Sequence, residues 1–278
     1  MIKINKEVFK PEYFPDGTMK LNMNNTDNIV DISWFYDSEE ELVQLYYIVS
    51  HIFDNYPETY VSLFMPYVPN ARFDRVKEDK EVFTLKYFAK IINAMKFDHI
   101  FVFDPHSHVS EALFNKTIIE RPFEYYPEYI MKMTNKITSV PEKELLLFFP
   151  DEGSVKRYSG ITKFIPNVPY AFGIKNRDWT TGEIKGLTVN GQTDQIKGRD
   201  VLIIDDICSK GGTFYHSAKK LKELGANKIY LYVSHCENTI YSGELLKDNG
   251  LIERVFTTDS ILTDLTSPKI ELVEEWRK

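Results

Sequence analysis

The stretch Val201-Leu202-Ile203-Ile204-Asp205-Asp206-Ile207-Cys208-Ser209-Lys210-Gly211-Gly212-Thr213 decides the fold. Four apolar residues in a row predict a short strand buried on both faces, as in a parallel sheet covered by helices. Two carboxylates stand where that strand is expected to end. A Gly-Gly-Thr turn then leads into an amphipathic helix over about residues 214–224. In open α/β sheets, ligands bind beyond the carboxyl ends of the strands. A glycine turn that opens a helix leaves backbone N–H groups aimed at one point, which suits a phosphate. Carboxylates beside such a nest hold sugar hydroxyls or a Mg²⁺ ion. The segment therefore reads as a cradle for a ribose phosphate. The plainer alternative is that Asp205 and Asp206 only cap the turn.

Working outward, strand and helix signals alternate along the whole chain. Gly225 stops the helix, and residues 229–234 read as the next strand. Upstream, Leu145–Phe149 and residues 168–174 are strand candidates. Nearer the N-terminus, Ser38 and Glu41 predict a capping box for a helix carrying Leu42, Leu45, Tyr46, Val49 and Phe53. A strand over 60–65, a helix over 82–95 and a strand over His99–Phe103 follow. This alternation predicts an α/β fold with mainly parallel sheets flanked by helices. The polar segment 134–143, which holds Pro141, suggests a boundary between two halves, 1–138 and 139–278. The last residues are candidates to pack back on the first half.

The chain has 278 residues, 43% of them apolar, enough for one large core or two smaller ones. With 19 Phe and 17 Tyr, disorder over most of the length is not expected. A net charge of −7 argues against a nucleic-acid partner. Cys208 and Cys236 are the only cysteines, which leaves no disulfide framework or zinc spacing and fits a reducing cytoplasm. Both read as small buried apolar residues. No signal-peptide core stands at the N-terminus and no apolar run reaches membrane-spanning length. There is no P-loop, no G-x-G-x-x-G and no H-E-x-x-H, so a Walker-type kinase, a nicotinamide dehydrogenase and a zinc protease are not expected.

Further polar clusters stand just after predicted strands. They are Pro66 to Arg75, Asp104-Pro105-His106-Ser107-His108, Pro150-Asp151-Glu152-Gly153-Ser154 and Lys175-Asn176-Arg177. Together with the Asp205 loop they predict a site assembled along the carboxyl edges of the sheets. Each residue also has a structural reading. Phe14 suits a core, Asp16-Gly17 a hairpin turn, His106 and His108 a hydrogen-bonded loop, and Lys175 and Arg177 solvated charge.

In their order, these motifs resemble the ribose-phosphate diphosphokinases, enzymes of two phosphoribosyltransferase-type domains that make phosphoribosyl pyrophosphate. The resemblance runs over about residues 13–259. Phe14-Pro15-Asp16-Gly17 resembles that family's adenine-contacting turn, with Phe14 stacking on the base and Asp16 accepting from its amino group. Residues 66–75 resemble its ATP loop, with Arg72 and Asp74 on the nucleotide side. His106 and Asp151 fall where the family places metal-linked residues, which implies Mg²⁺ as cofactor and His106 near the ATP phosphates. Lys175 and Arg177 fall on its mobile catalytic loop, and residues 175–194 are expected to be flexible. Asp205 and Asp206 would hold the ribose hydroxyls. Ser209, Lys210, Gly211, Gly212 and Thr213 would hold the 5-phosphate. The implied reaction moves a diphosphate from ATP to the anomeric hydroxyl of ribose 5-phosphate. The family's adenine turn comes from a neighbouring subunit, so a homo-oligomer is implied.

The chain departs from the family pattern in several places. Phe14 stands close to the N-terminus, where the family has a strand and a helix first. Thr18 replaces a usual acid, and Phe73 a usual amide. The phosphate loop lacks a carboxylate and gains Lys210, which makes it more electropositive and roomier. ADP-ribose or another 5-substituted ribose is therefore an alternative acceptor. A non-catalytic regulatory subunit and a base-transferring phosphoribosyltransferase are two further alternatives.

Overall fold

The computed structural model describes residues 1–23, 28–122, 144–177, 184–248 and 250–278. It divides into two compact units, Met1–Glu120 and Arg121–Lys278. The boundary expected between residues 138 and 139 lies outside the described residues.

The first unit runs β1 (Ile2–Ile4), β2 (Glu7–Val8), β3 (Glu12–Tyr13), β4 (Met19–Lys20), β5 (Ile29–Trp34), α1 (Glu40–Asn55), β6 (Tyr60–Phe64), α2 (Thr84–Ala94), β7 (His99–Phe103), α3 (His108–Leu113) and β8 (Thr117–Glu120). Its main sheet has the order β2-β1-β5-β6-β7-β8. The pairs from β5 to β8 are parallel, and β1 is antiparallel to both its neighbours. Along β5, Val30, Ile32 and Trp34 turn inward at every second position. They meet Leu45, Ile48, Val49 and Ile52, which form one face of α1 at the spacing of a helical turn.

Two local expectations fail here. Tyr46 is exposed, not part of the inward stripe, because Leu45 and Ile48 set the buried face. The Ser38–Glu41 capping box does not form. The Glu41 carboxylate instead accepts from the Asp37 N–H and the Trp34 Nε1–H, both at 2.9 Å. It also pairs with the chain's N-terminal ammonium. The Trp34 indole N–H needs a partner where its ring is buried, and that need outcompetes the local cap.

The second unit runs β9 (Leu145–Phe149), α4 (Glu152–Tyr158), β10 (Tyr170–Arg177), β11 (Ile184–Gly191), β12 (Asp200–Cys208), α5 (Gly212–Glu223), β13 (Ile229–Cys236), β14 (Arg254–Thr258) and β15 (Ile270–Glu274). The sheet order is β11-β10-β9-β12-β13-β14-β15, and only β11 is antiparallel. All residues of β9 and β13 are buried, as continuous apolar runs between two helical layers require. The α/β class with mainly parallel sheets therefore holds in both units.

The expectation for β12 needs correction. The strand does not stop at the two acids. Its ladder with β13 continues through Asp205↔Val233, Ile207↔His235 and Cys208↔Cys236. Residues 184–194, expected within a flexible loop, are mostly the strand β11, which packs Leu187 and Val189 against the core of this unit. Residues 178–183 lie outside the described residues. The closing residues belong to the second sheet: β15 forms its edge, and Asp259 accepts from the N–H groups of Trp276 and Arg277 at 2.7 and 2.9 Å. Among the described residues, no helix is long and apolar enough to cross a membrane.

Candidate functional site

Asp205 and Asp206 are consecutive residues of β12, and their carboxyls are close enough to interact. Asp205 is half-buried, and its Oδ1 accepts from the Asp206 N–H at 3.0 Å. Burial, with the charges of Asp206 and Asp151 nearby, raises its carboxyl well above the ordinary carboxylate range. Asp206 is buried and ion-paired with Arg157 of α4, Nη1 to Oδ2 at 2.6 Å. The Arg157 guanidinium also lies over the Tyr158 ring, 5.6 Å from its centroid.

Beyond Cys208 the chain turns into α5. Gly211, at φ 79°, occupies the helix N-cap in the left-handed region and supplies no capping side chain. The first N–H groups of α5 are left for a ligand, at the positive end of the helix dipole. Lys210 and Gly212 are exposed, while Ser209 and Thr213 are half-buried. A second layer supports this turn. The Glu237 N–H donates to the Cys208 carbonyl at 2.8 Å. Gly243 packs directly against the Lys210 carbonyl, and Leu245 against Gly211. Cys208 and Cys236 are both buried, as expected, and their thiols face one another. The Cys236 thiol and burial push the Cys208 thiol well above its ordinary range.

Asp151 caps α4. Its Oδ1 accepts from the Ser154 N–H at 3.0 Å, and Ser154 Oγ accepts from the Asp151 N–H at 3.2 Å. This reciprocal box separates a structural from a chemical role. Asp151→Ala is expected to cost about 1 kcal/mol in denaturant unfolding, whereas Asp151→Asn keeps the cap and stays within a few tenths of the parent. Lys175 and Arg177 close β10, with a register shift between Asn176 and Arg177 against β11.

In the first unit, β3 and β4 form a hairpin around residues 14–18, with Gly17 at φ 83°. Asp16 Oδ1 accepts from the Thr18 N–H at 2.9 Å and from its hydroxyl at 2.7 Å, which holds the Asp16 carboxyl below its usual range. Phe14 sits at this turn with 51% of its surface exposed, which excludes a core role within its own unit. The loops after β6 and β7 meet at Asp74. Burial would raise this carboxyl, but hydrogen bonds from Arg75 and Ser107 and the nearby His106 hold it below its usual range. Arg72 is exposed and His106 half-buried on the same pair of loops. His108 instead reaches along α3 to Glu111, Nδ1 to Oε1 at 3.1 Å.

Among the described residues, no three His, Cys, Asp or Glu side chains cluster into a metal cage. Mg²⁺ needs only one or two carboxylates when substrate phosphates complete its shell. Asp151 and Asp205 are near enough to repel one another and meet that requirement in the second unit. Arg157 and Gly243 were not legible as site residues. The available signal for Arg157 was that a second acid in a buried strand must face a cation.

The phosphoribosyl transferase domain family matches residues 128–258, the part of the chain that carries the acid pair and the glycine turn. The ribose-phosphate pyrophosphokinase of Thermococcus kodakarensis is 26% identical over 95% of this chain and 89% of its own length. That of Sulfurisphaera tokodaii is 26% identical over 95% of this chain and 86% of its own. The chain is thus similar to ribose-phosphate pyrophosphokinases over nearly its whole length. Phosphoribosylpyrophosphate synthetase from Mycobacterium smegmatis shares the fold, with a TM-score of 0.75 at 18% identity, over 96% of this chain and 85% of that one. These relatives match both units, whereas the transferase domain family matches residues of the second alone.

Proposed function

We propose that the protein transfers the β,γ-diphosphate of ATP to the anomeric hydroxyl of ribose 5-phosphate, giving phosphoribosyl pyrophosphate and AMP. The observation that carries this reading is the uncapped, glycine-led N-terminus of α5 standing directly after the strand that presents Asp205. The amides take the 5-phosphate and Asp205 takes ribose hydroxyls, so the sugar is held at both ends. Arg72, Asp74 and His106 form the nucleotide side on the first unit, with Phe14 and Asp16 as the adenine turn. Half-exposed Phe14 suits a ring offered to a neighbouring copy in a homo-oligomer.

The hydroxyl attacks the β-phosphorus and AMP departs. The protein's part is to position both substrates and to neutralise charge on phosphoryl oxygens, which Lys175 and Arg177 do. Asp151, beside Asp205, would hold a Mg²⁺ ion bound with the substrate phosphates, which would supply further neutralisation. Asp151→Asn is accordingly expected to raise the Mg²⁺ concentration needed for half-maximal rate.

A second acceptor, ADP-ribose, is favoured by one feature. Lys210 is exposed, and the space beyond Gly212 is open, with nothing within 4 Å of a Cβ built there. A diphosphate continuing past the 5-position would meet the Lys210 cation. Isotope-labelled ATP supplied with each acceptor in turn tests both readings. AMP release with ribose 5-phosphate is the expected result. Modification of ADP-ribose alone would make it the acceptor. No AMP with either would leave a binding role, and pyrophosphate release from an activated sugar would mark a transferase.

A further inference from the structure

Asp206, expected from the sequence to hold ribose hydroxyls beside Asp205, is instead buried and ion-paired with Arg157, and this pair adjoins the sugar site. The two acids of β12 have different surroundings. Asp205 is half-buried, with Asp151 near it, whereas Asp206 is buried against Arg157 at 2.6 Å. The short helix α4 serves both. Its N-cap is Asp151, on the side of Asp205, and its last turn carries Arg157 to Asp206. The guanidinium is itself held by the buried Tyr158 ring beneath it.

We propose that Arg157 is a positioning residue for the sugar acceptor, acting through Asp206. By fixing that carboxylate it anchors β12 over its last residues, Asp206 to Cys208. That anchoring sets where Asp205 and the amides beyond Ser209 stand. The inference rests on the reading of this strand end as the sugar site. A buried carboxylate without its cation either protonates or pulls the strand toward water, and both move Asp205. Arginine suits the task because its planar fork fixes direction as well as charge, which a lysine ammonium does not.

The test is steady-state kinetics of the full chain, measuring AMP release with ribose 5-phosphate and ATP varied separately. Arg157→Met is expected to raise KM for the sugar at least tenfold, while KM for ATP changes less than twofold. Arg157→Lys should lie between, with a rise of at least threefold. If Arg157→Met fails to fold, the lysine variant decides. A sugar KM unchanged in the soluble variants overturns the proposal. So does a fall in rate that only tracks the loss of folded protein by circular dichroism, with both KM values unchanged. Parent protein that releases no AMP with ribose 5-phosphate refutes the functional reading instead, which keeps the two failures distinct.

Discussion

Replacing Lys175 and Arg177 together by alanine should lower kcat by about a thousandfold or more, the range seen when cations that stabilise a phosphoryl-transfer transition state are removed. The loss should fall mainly on kcat, because these groups meet charge that develops only as the diphosphate moves. The sugar KM should shift by a few fold at most, since the ligands proposed for it stand on β12 and the turn into α5. The two single variants are expected to lose less than the pair, and their effects should not add, because the proposed role gives both the same phosphoryl oxygens. The backbone ladder between β10 and β11 does not depend on these side chains, so circular dichroism should report a folded protein. Turnover of the double variant at the parent rate would overturn the assignment.

Gly243→Ala should disable the proposed phosphate cradle without touching any substrate. A Cβ at this position lies 1.9 Å from the Lys210 carbonyl oxygen and 2.9 Å from its carbon. Both atoms are backbone, so no rotamer relieves the overlap. Gly243 itself has φ −97°, which alanine adopts freely, so the effect is steric and not conformational. Either the turn Asn238–Ser242 retreats or the Ser209–Gly212 loop is displaced. Overpacking of this kind costs about 1–3 kcal/mol in chemical denaturation. The sugar KM should rise at least tenfold, because the amides of the cradle no longer converge. Gly211→Ala offers a comparison with a different cause, a left-handed residue at φ 79°, worth about 1–2 kcal/mol, plus an overlap with Leu245. A Gly243→Ala protein with parent stability and parent sugar KM would show that the turn yields freely and does not support the cradle.

The elements that were legible in the sequence are those whose signal is local. Leu145–Phe149 and His99–Phe103 have the expected limits because each apolar run is bounded by polar or turn residues. The Gly-Gly-Thr turn and the helix after it were legible for the same reason: only glycine takes the left-handed cap, and the helix stripe repeats within a few residues. Asp16-Gly17 likewise makes the hairpin turn its residue types call for. Asp74 was legible as a candidate, but its hydrogen bond from Ser107 depends on two loops separated by a strand and a helix.

What the chain determined alone is therefore the alternating α/β pattern, the strands buried on both faces and the acid pair leading into a carboxylate-free glycine turn, because short-range sterics and hydrophobic periodicity dictate them. What only the tertiary structure decided is where polar groups find partners. Glu41 turns from its expected cap to the buried indole of Trp34, β12 runs past its acids because β13 offers further backbone bonds, and Asp206 is claimed by Arg157. In each case a buried polar group must be satisfied by whatever the fold brings beside it, and that neighbour is distant in the chain.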